Sequence, residues 1–182
     1  MKKRILAFFA FTLTFSLAFS QAPKWVWADV TGGSSDYGQA ITTDAAGNIY
    51  VTGQFQGGSA TLGSVTLTSA SGWHIFTAKY DPNGNILWAK TAGGSGIEGG
   101  VSITIDKMGN SYVTGQFQGA NIVFGSTILT NSGSVNIFLV KYDPNGNVLW
   151  AKCAGGSSQD AGRSVLYSFW NVQHLKALSA EY

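Results

Sequence analysis

Residues 75–90 read IFTAKYDPNGNILWAK, and residues 137–152 read IFLVKYDPNGNVLWAK. The copies differ only at Thr77/Leu139, Ala78/Val140 and Ile86/Val148, and each exchange keeps a residue that suits a strand. A phrase this long returning at a fixed offset marks internal duplication, and the duplication sets the fold. Each copy is two runs rich in β-branched and aromatic residues around Asp-Pro-Asn-Gly-Asn. Asp bonds the backbone two residues on, Pro82 pre-sets φ, and Gly84 accepts positive φ. That is the chemistry of a type I turn closed by a glycine bulge, and so of a β-hairpin.

Outward from this phrase the period extends in both directions. Asp36 to Glu98, Asp44 to Asp106, Thr52 to Thr114, Phe76 to Phe138 and Trp88 to Trp150 are all separated by 62 residues. The step from Trp27 to Trp88 is 61, so one residue is gained inside a Gly-Gly-Ser connector, where a loop tolerates it. One unit predicts four main strands, residues 39–43, 49–55, 75–80 and 86–91. The tight turns are built on Asp44, Gly47 and Asn48, and on Asp81, Gly84 and Asn85. Their copies are Asp106, Gly109 and Asn110, and Asp143, Gly146 and Asn147. Between the second and third strands an excursion, residues 56–74, carries Gly63-Ser64 between alternating runs, which predicts a small extra hairpin.

The main strands are apolar on both faces. Phe76, Ala78 and Tyr80 point one way, Ile75 and Thr77 the other; Leu87 and Ala89 are expected opposite Ile86 and Trp88. A sheet with one wet face would alternate cleanly, so these sheets are expected to be covered on both sides, as blades stacked around an axis are. The fold class expected is all-β: four-stranded antiparallel blades of the β-propeller type in tandem, two complete units and the start of a third, short of a closed ring. A solenoid of stacked β units is the alternative.

The residues GNIYVTGQF (47–55), the quoted phrase and the following Ala-Gly-Gly-Ser resemble the bacterial β-propeller repeat family called SBBP, over roughly residues 27–165. The resemblance implies an extracellular bacterial propeller of four-stranded blades, and implies no catalytic residues.

The ends depart from the repeat. Residues 1–22 have a basic start, Lys2, Lys3 and Arg4, then an apolar run over 5–19 and small residues. This is the pattern of a secretory signal peptide, and the run is short of the about 20 residues a membrane span needs. The repeats are expected at 23–95 and 96–157, with a third started over 158–165. Residues 166–182 abandon the pattern. They read either as a capping helix, with Leu175 and Leu178 on one face, or as the product of truncation or a frameshift. The expected location is secreted or cell surface, with no membrane span after signal cleavage.

Of the 11 Lys and Arg, three lie in the leader, and the remainder nearly balance nine Asp and Glu. No basic cluster follows, so no nucleic-acid partner is expected. Cys153 is the lone cysteine, read as a small buried residue beside the last repeated Trp. His74 and His174 are the only histidines, and they assemble neither a triad nor a metal-ligand spacing. No catalytic, cofactor or metal residues are expected. Asp81-Pro-Asn83-Gly-Asn85 lacks the Gly and Glu that a calcium loop needs at its sixth and twelfth positions.

Asp36, Glu98 and Asp160 recur at one place, in a loose likeness to the Asp-box of glycosidase propellers. They read either as ligand carboxylates or as caps of a connector turn. By topology the tight turns share one end of each unit, and the excursion and connector share the other. Asp36, Glu98, Asp160, Trp73 and His74 fall on that elaborated end and are the ligand-binding candidates. Trp73 stands where its repeat partner is Val135, and an exposed Trp can stack a sugar or anchor a protein. The expected function is a non-catalytic binding or structural scaffold for an extracellular protein or glycan. The alternative is a fragment of a glycan-acting propeller hydrolase. Self-association is expected through open blade edges.

Overall fold

The computed structural model describes residues 35–167, and these are all β and connecting loops. The first unit contains β1 (Ser35–Thr43), β2 (Ile49–Gln56), β3 (Ser59–Leu62), β4 (Val65–Thr68), β5 (Trp73–Tyr80) and β6 (Ile86–Ala92). The second contains β7 (Glu98–Ile105), β8 (Ser111–Phe117), β9 (Asn121–Phe124), β10 (Thr127–Thr130), β11 (Asn136–Tyr142) and β12 (Val148–Ala154). Two four-stranded antiparallel sheets, β1-β2-β5-β6 and β7-β8-β11-β12, stand in tandem and do not close into a ring. The excursions form separate two-stranded hairpins, β3-β4 and β9-β10. Positive φ at Gly63 and Gly125 starts the two-residue turn of each, as the Gly-Ser pairs predict.

The register is the same in both sheets: Gly53 faces Phe76 as Gly115 faces Phe138. At these two glycines an added Cβ would fall within 3 Å of the Phe ring and of the neighbouring strand's carbonyl oxygen. Only a missing side chain lets the ring lie flat over the strand.

The turn chemistry is as the Asp-to-Asn spacing implies. Asp44 N donates to Asn48 O at 3.0 Å and Gly47 N to Asp44 O at 3.0 Å, with Gly47 at φ 80°. The Asp44 carboxylate accepts from Ala46 N, Asn48 N and Asn48 Nδ2. The turns at Asp81, Asp106 and Asp143 repeat this pattern. A methyl added at Gly47 would lie 3.4 Å from Pro82, so both tight turns of a unit share one end.

One core lies between the sheets. Tyr50, Ile75, Trp88 and Ala92 of the first meet Ile103, Val113, Phe117, Phe138, Val140 and Tyr142 of the second, with Ile122, Phe124 and Leu129 of the β9-β10 hairpin. Trp88 Nε1 donates to Pro144 O at 3.0 Å, which anchors β6 to the next sheet's turn. The second core covers the other face of the first sheet. There Phe55, Phe76, Ala78 and Tyr80 pack under the sheet's own hairpin, through Ala60, Leu62 and Leu67. Each large side chain so buried contributes roughly 1.5–3 kcal/mol. The central strands are therefore buried on both faces, whereas β1 and β12 are largely exposed.

Three expectations need correction. The face assignment of β6 fails because a bulge at Leu87 breaks the alternation: Lys79 pairs with Trp88, and Tyr80 with Ile86. Ile86 consequently joins Ala89 in the second core, Trp88 turns to the first, and Leu87 is exposed, as is Leu149 at the matching bulge. Cys153 is exposed, not buried, because it lies on the edge strand β12: paired with Phe138, it sits on the face toward the first sheet but beyond that core, with its Sγ 3.7 Å from Thr130 O. The strands also start earlier than the residue pattern suggests. Asp36, Glu98, Trp73 and His74 are strand residues, because the ladders continue through Asp36↔Phe55, Glu98↔Phe117, His74↔Phe55 and Trp73↔Gln56. The leader and most of the off-pattern tail lie outside the described residues.

Candidate functional site

The excursion and the connector do share one end. Trp73 bridges Ile97 in parallel, Gly93 bridges Val123, and Trp73 N donates to Gly96 O at 3.3 Å. All five candidate residues lie at this end, and their roles in the local structure differ.

Glu98 is fully buried. Its Oε1 accepts from Gly96 N at 3.1 Å, which ties the carboxylate to the Gly-rich connector, and its Oε2 has no partner among the described residues. Burial pushes its carboxyl above the usual range, and the Gly94 and Gly96 amides oppose that only in part. Asp160 repeats the arrangement: its Oδ2 accepts from Gly156 N at 2.8 Å, and Asp160 N donates to Val135 O at 3.0 Å. Asp36 is half-buried, and its Oδ1 has no partner among the described residues. The acids thus recur at one repeat position, Asp36 and Glu98 at the starts of β1 and β7 and Asp160 in the segment that follows β12.

His74 packs edge-on to Phe55, ring centroids 6.0 Å apart, and over Gly93, where a Cβ would strike the imidazole. Burial lowers its pKa, with the backbone of Gly94 and Ser71 acting the other way. Held between the Phe55 ring and the Gly93 backbone, this imidazole is a packed side chain.

Trp73 is different. Its indole is half-buried and lies 5.4 Å from the Tyr37 ring at 39°, and Tyr37 is 52 % exposed. The register puts Tyr37, Gln54 and Ile75 on one face, and Trp73 on that same face beside Gln56. Exposed Ile97 of the connector adjoins Trp73. The result is an exposed tyrosine packed on a half-buried indole, with Gln54 beside it. Tyr37 is the residue that repeat-based reading passes over. Its counterparts are Gly99 and Ala161, and a departure from the repeat is the signal that would have found it.

One repeat further on, the end is unfilled. A groove of about 490 Å³ is lined by Gln116, Ser134, Val135, Asp160 and Arg163 among others. Its Gln116 and Val135 correspond to Gln54 and Trp73, so the groove is the open counterpart of the place that the indole occupies in the first unit.

Residues 30–54 match a family model, SBBP, described as a β-propeller repeat. Over 160 residues the chain is also 27 % identical to an uncharacterized WD repeat-containing protein of Acanthamoeba polyphaga mimivirus, across 78 % of this chain. The match spans only 12 % of that much longer relative. The chain is thus similar to propeller repeats in sequence as well as in the order of its strands. Among the described residues no helix is long and apolar enough to cross a membrane, and no group of three or more His, Cys, Asp or Glu is placed to hold a metal ion.

The opposite end carries a second repeated polar cluster that sequence reading also missed. Tyr112 OH donates to Asp106 Oδ2 at 3.0 Å, and Lys141 Nζ lies 3.4 Å from the same oxygen and 4.8 Å over the Tyr112 ring. Tyr50 and Asp44 repeat the hydroxyl–carboxylate bond at 3.2 Å, with Lys79 4.9 Å over the ring. Burial raises the Asp106 carboxyl, but the Asn110, Tyr112 and Met108 hydrogen bonds outweigh it and leave the net pKa lowered. These groups lock the tight turns to the central strands and satisfy one another.

Proposed function

We propose that the chain is an exported, non-catalytic binding scaffold that takes a glycan at the connector end of its first sheet. The observation that carries this reading is the Tyr37–Trp73 pair, an exposed tyrosine ring packed on a half-buried indole beside Gln54. Aromatic faces receive the C–H surface of a sugar ring, and a side-chain amide such as that of Gln54 carries both a donor and an acceptor for its hydroxyls. The pair departs from the repeat: the counterparts of Tyr37 are Gly99 and Ala161, and that of Trp73 is Val135. The leader-like residues 1–22 support export. The hydrolase alternative draws less support: Glu98 is sealed from solvent, and Asp160 is tied to a connector amide.

The test is a glycan array followed by calorimetric titration of the best hit. Trp73→Ala and Tyr37→Ala should each weaken binding about tenfold or more while far-UV circular dichroism is unchanged. Asp36→Ala is expected to matter less. Retention of full affinity in both aromatic variants removes this face as the site. Capture of a protein ligand that is lost in the same variants would replace the glycan with a protein partner.

A further inference from the structure

The residues of both halves of the interior sheet–sheet interface recur on the outer faces of the described array, where the β3-β4 hairpin already covers Phe55, Phe76 and Tyr80. The half contributed by the first sheet consists of Tyr50, Thr52, Ile75, Trp88 and Ala92. On the outer face of the second sheet the same positions are Tyr112, Thr114, Ile137, Trp150 and Ala154, identical in every case. The half contributed by the second sheet includes Ile103, Val113, Phe117, Phe138 and Tyr142. On the outer face of the first sheet these are Ile41, Val51, Phe55, Phe76 and Tyr80, again identical. The anchor groups are kept as well: Pro144 and Gly146, which receive Trp88, correspond to Pro82 and Gly84. Lack of a neighbour shows in exposure. Ile103 is 7 % exposed and its counterpart Ile41 is 69 % exposed.

The receiving face is partly occupied. The residues before Tyr167 lie on the second sheet as β7 lies on the first. A Cβ at Gly162 would meet Thr114 Oγ1, Gly115 O and Ile137 Cγ2, just as one at Gly100 would meet Thr52 Oγ1, Gly53 O and Ile75 Cγ2. Val135 bridges Gln159 as Trp73 bridges Ile97. Val165 N donates to Ser102 Oγ at 3.2 Å, and Tyr167 stacks on Tyr112. The segment follows the course of β7, with a β-bridge at Gly162.

We propose that the outer face of the second sheet takes the outer face of the first sheet from a second copy of this chain, and that the incoming β1 replaces residues 161–167. The contact is heterologous, because its two halves are different surfaces, and it copies the interior interface by continuing the same stacking. It engages the sheet faces, whereas open strand edges would pair backbone to backbone. Residues 161–167 compete for the site, so association is set by the difference between two seatings of the same pattern.

Sedimentation velocity of the full chain over a range of concentrations tests this. Wild type should show concentration-dependent association. Ile41→Asp changes a solvent-exposed side chain on the incoming face and should weaken association at least tenfold, with an unchanged circular dichroism spectrum. Gly162→Val should drive out residues 161–167 and strengthen association several-fold. Trp150→Ala should weaken association like Ile41→Asp. A mixture of Ile41→Asp and Trp150→Ala should form a one-to-one dimer that neither forms alone, since each retains one intact half. Wild type and Gly162→Val both remaining monomeric would overturn the proposal and assign the faces to other parts of the chain. Ile41→Asp associating like wild type, or no dimer in the mixture, would overturn it equally.

Discussion

Ile103→Ala and Ile41→Ala make one perturbation at two copies of one position, and only the first has a sheet packed over it. Ile103 is 7 % exposed and sits in the core between the sheets. Ile41 is 69 % exposed on the outer face of the first. Truncation removes three carbons, worth about 0.8 kcal/mol each when buried. Scaled by burial, that is about 2.2 kcal/mol at Ile103 and about 0.7 kcal/mol at Ile41. The tight packing around Ile103 adds a cavity cost, which brings its total to about 3 kcal/mol, within the usual span for such truncations. The difference between the variants is then about 2 kcal/mol. Urea unfolding followed by tryptophan fluorescence, at a dilution where the chain is monomeric, measures both. Equal losses, or a larger loss for Ile41→Ala, would refute the assignment of Ile103 to a core between two stacked sheets.

The tight turns supply further tests. Asp106→Ala strips the acceptor from Asn110, Tyr112 and Lys141 and should cost about 2–3 kcal/mol by urea unfolding, whereas Asp143→Ala, in an exposed turn, should cost clearly less. Gly146→Ala should destabilise more than Gly47→Ala. Both glycines have φ 80°, worth about 1–2 kcal/mol against alanine, but at Gly146 the added Cβ also falls 2.8 Å from the Trp88 ring. Glu98 binds its proton more tightly folded than unfolded, so wild-type stability should fall as pH rises from the ordinary glutamate range through the higher folded value. Glu98→Gln removes that fall, and melting temperatures of the two proteins across this range should diverge; parallel curves would contradict a buried carboxyl.

The parts of the fold that were legible in the sequence are those whose chemistry is local. Asp, Gly and Asn at fixed spacing specify a turn without help from the rest of the chain, and the 62-residue offset carries that turn and its strands from one unit to the next. The strand order and the extra hairpins follow from those signals. Legibility fails where a distant partner decides. Ser35, Asp36 and Glu98 belong to strands because the neighbouring strands continue past them, although their Gly-rich surroundings have the composition of a connector. Leu87 leaves the alternation because a bulge opposite Lys79 and Tyr80 takes up the extra residue. Of the binding candidates, Trp73 is conspicuous in sequence as an exception to the repeat. Tyr37, 36 residues before it, can be joined to it only by the pairing of β1, β2 and β5.

The shared register of the two sheets bears on how the chain reaches its native pairing. From Tyr50 to Phe55, β2 faces β5 with the same residues that β8 presents to β11 from Tyr112 to Phe117, so β2 is competent to zip onto β11 by mistake, with Gly53 under Phe138. Only connectivity discriminates strongly. The correct loop spans residues 57–72 and the wrong one residues 57–135, about five times as long. At about 0.6 kcal/mol per doubling of loop length, that favours the native partner by roughly 1.4 kcal/mol, about tenfold. A tenfold bias leaves a sizeable minority of refolding molecules in a cross-paired trap, which must come apart before the sheets can stack. Ile49/Ser111, His74/Asn136, Thr77/Leu139 and Ala78/Val140, the places where the paired strands diverge between repeats, then acquire a kinetic meaning: at them a mispaired β2 and β11 would meet unlike neighbours.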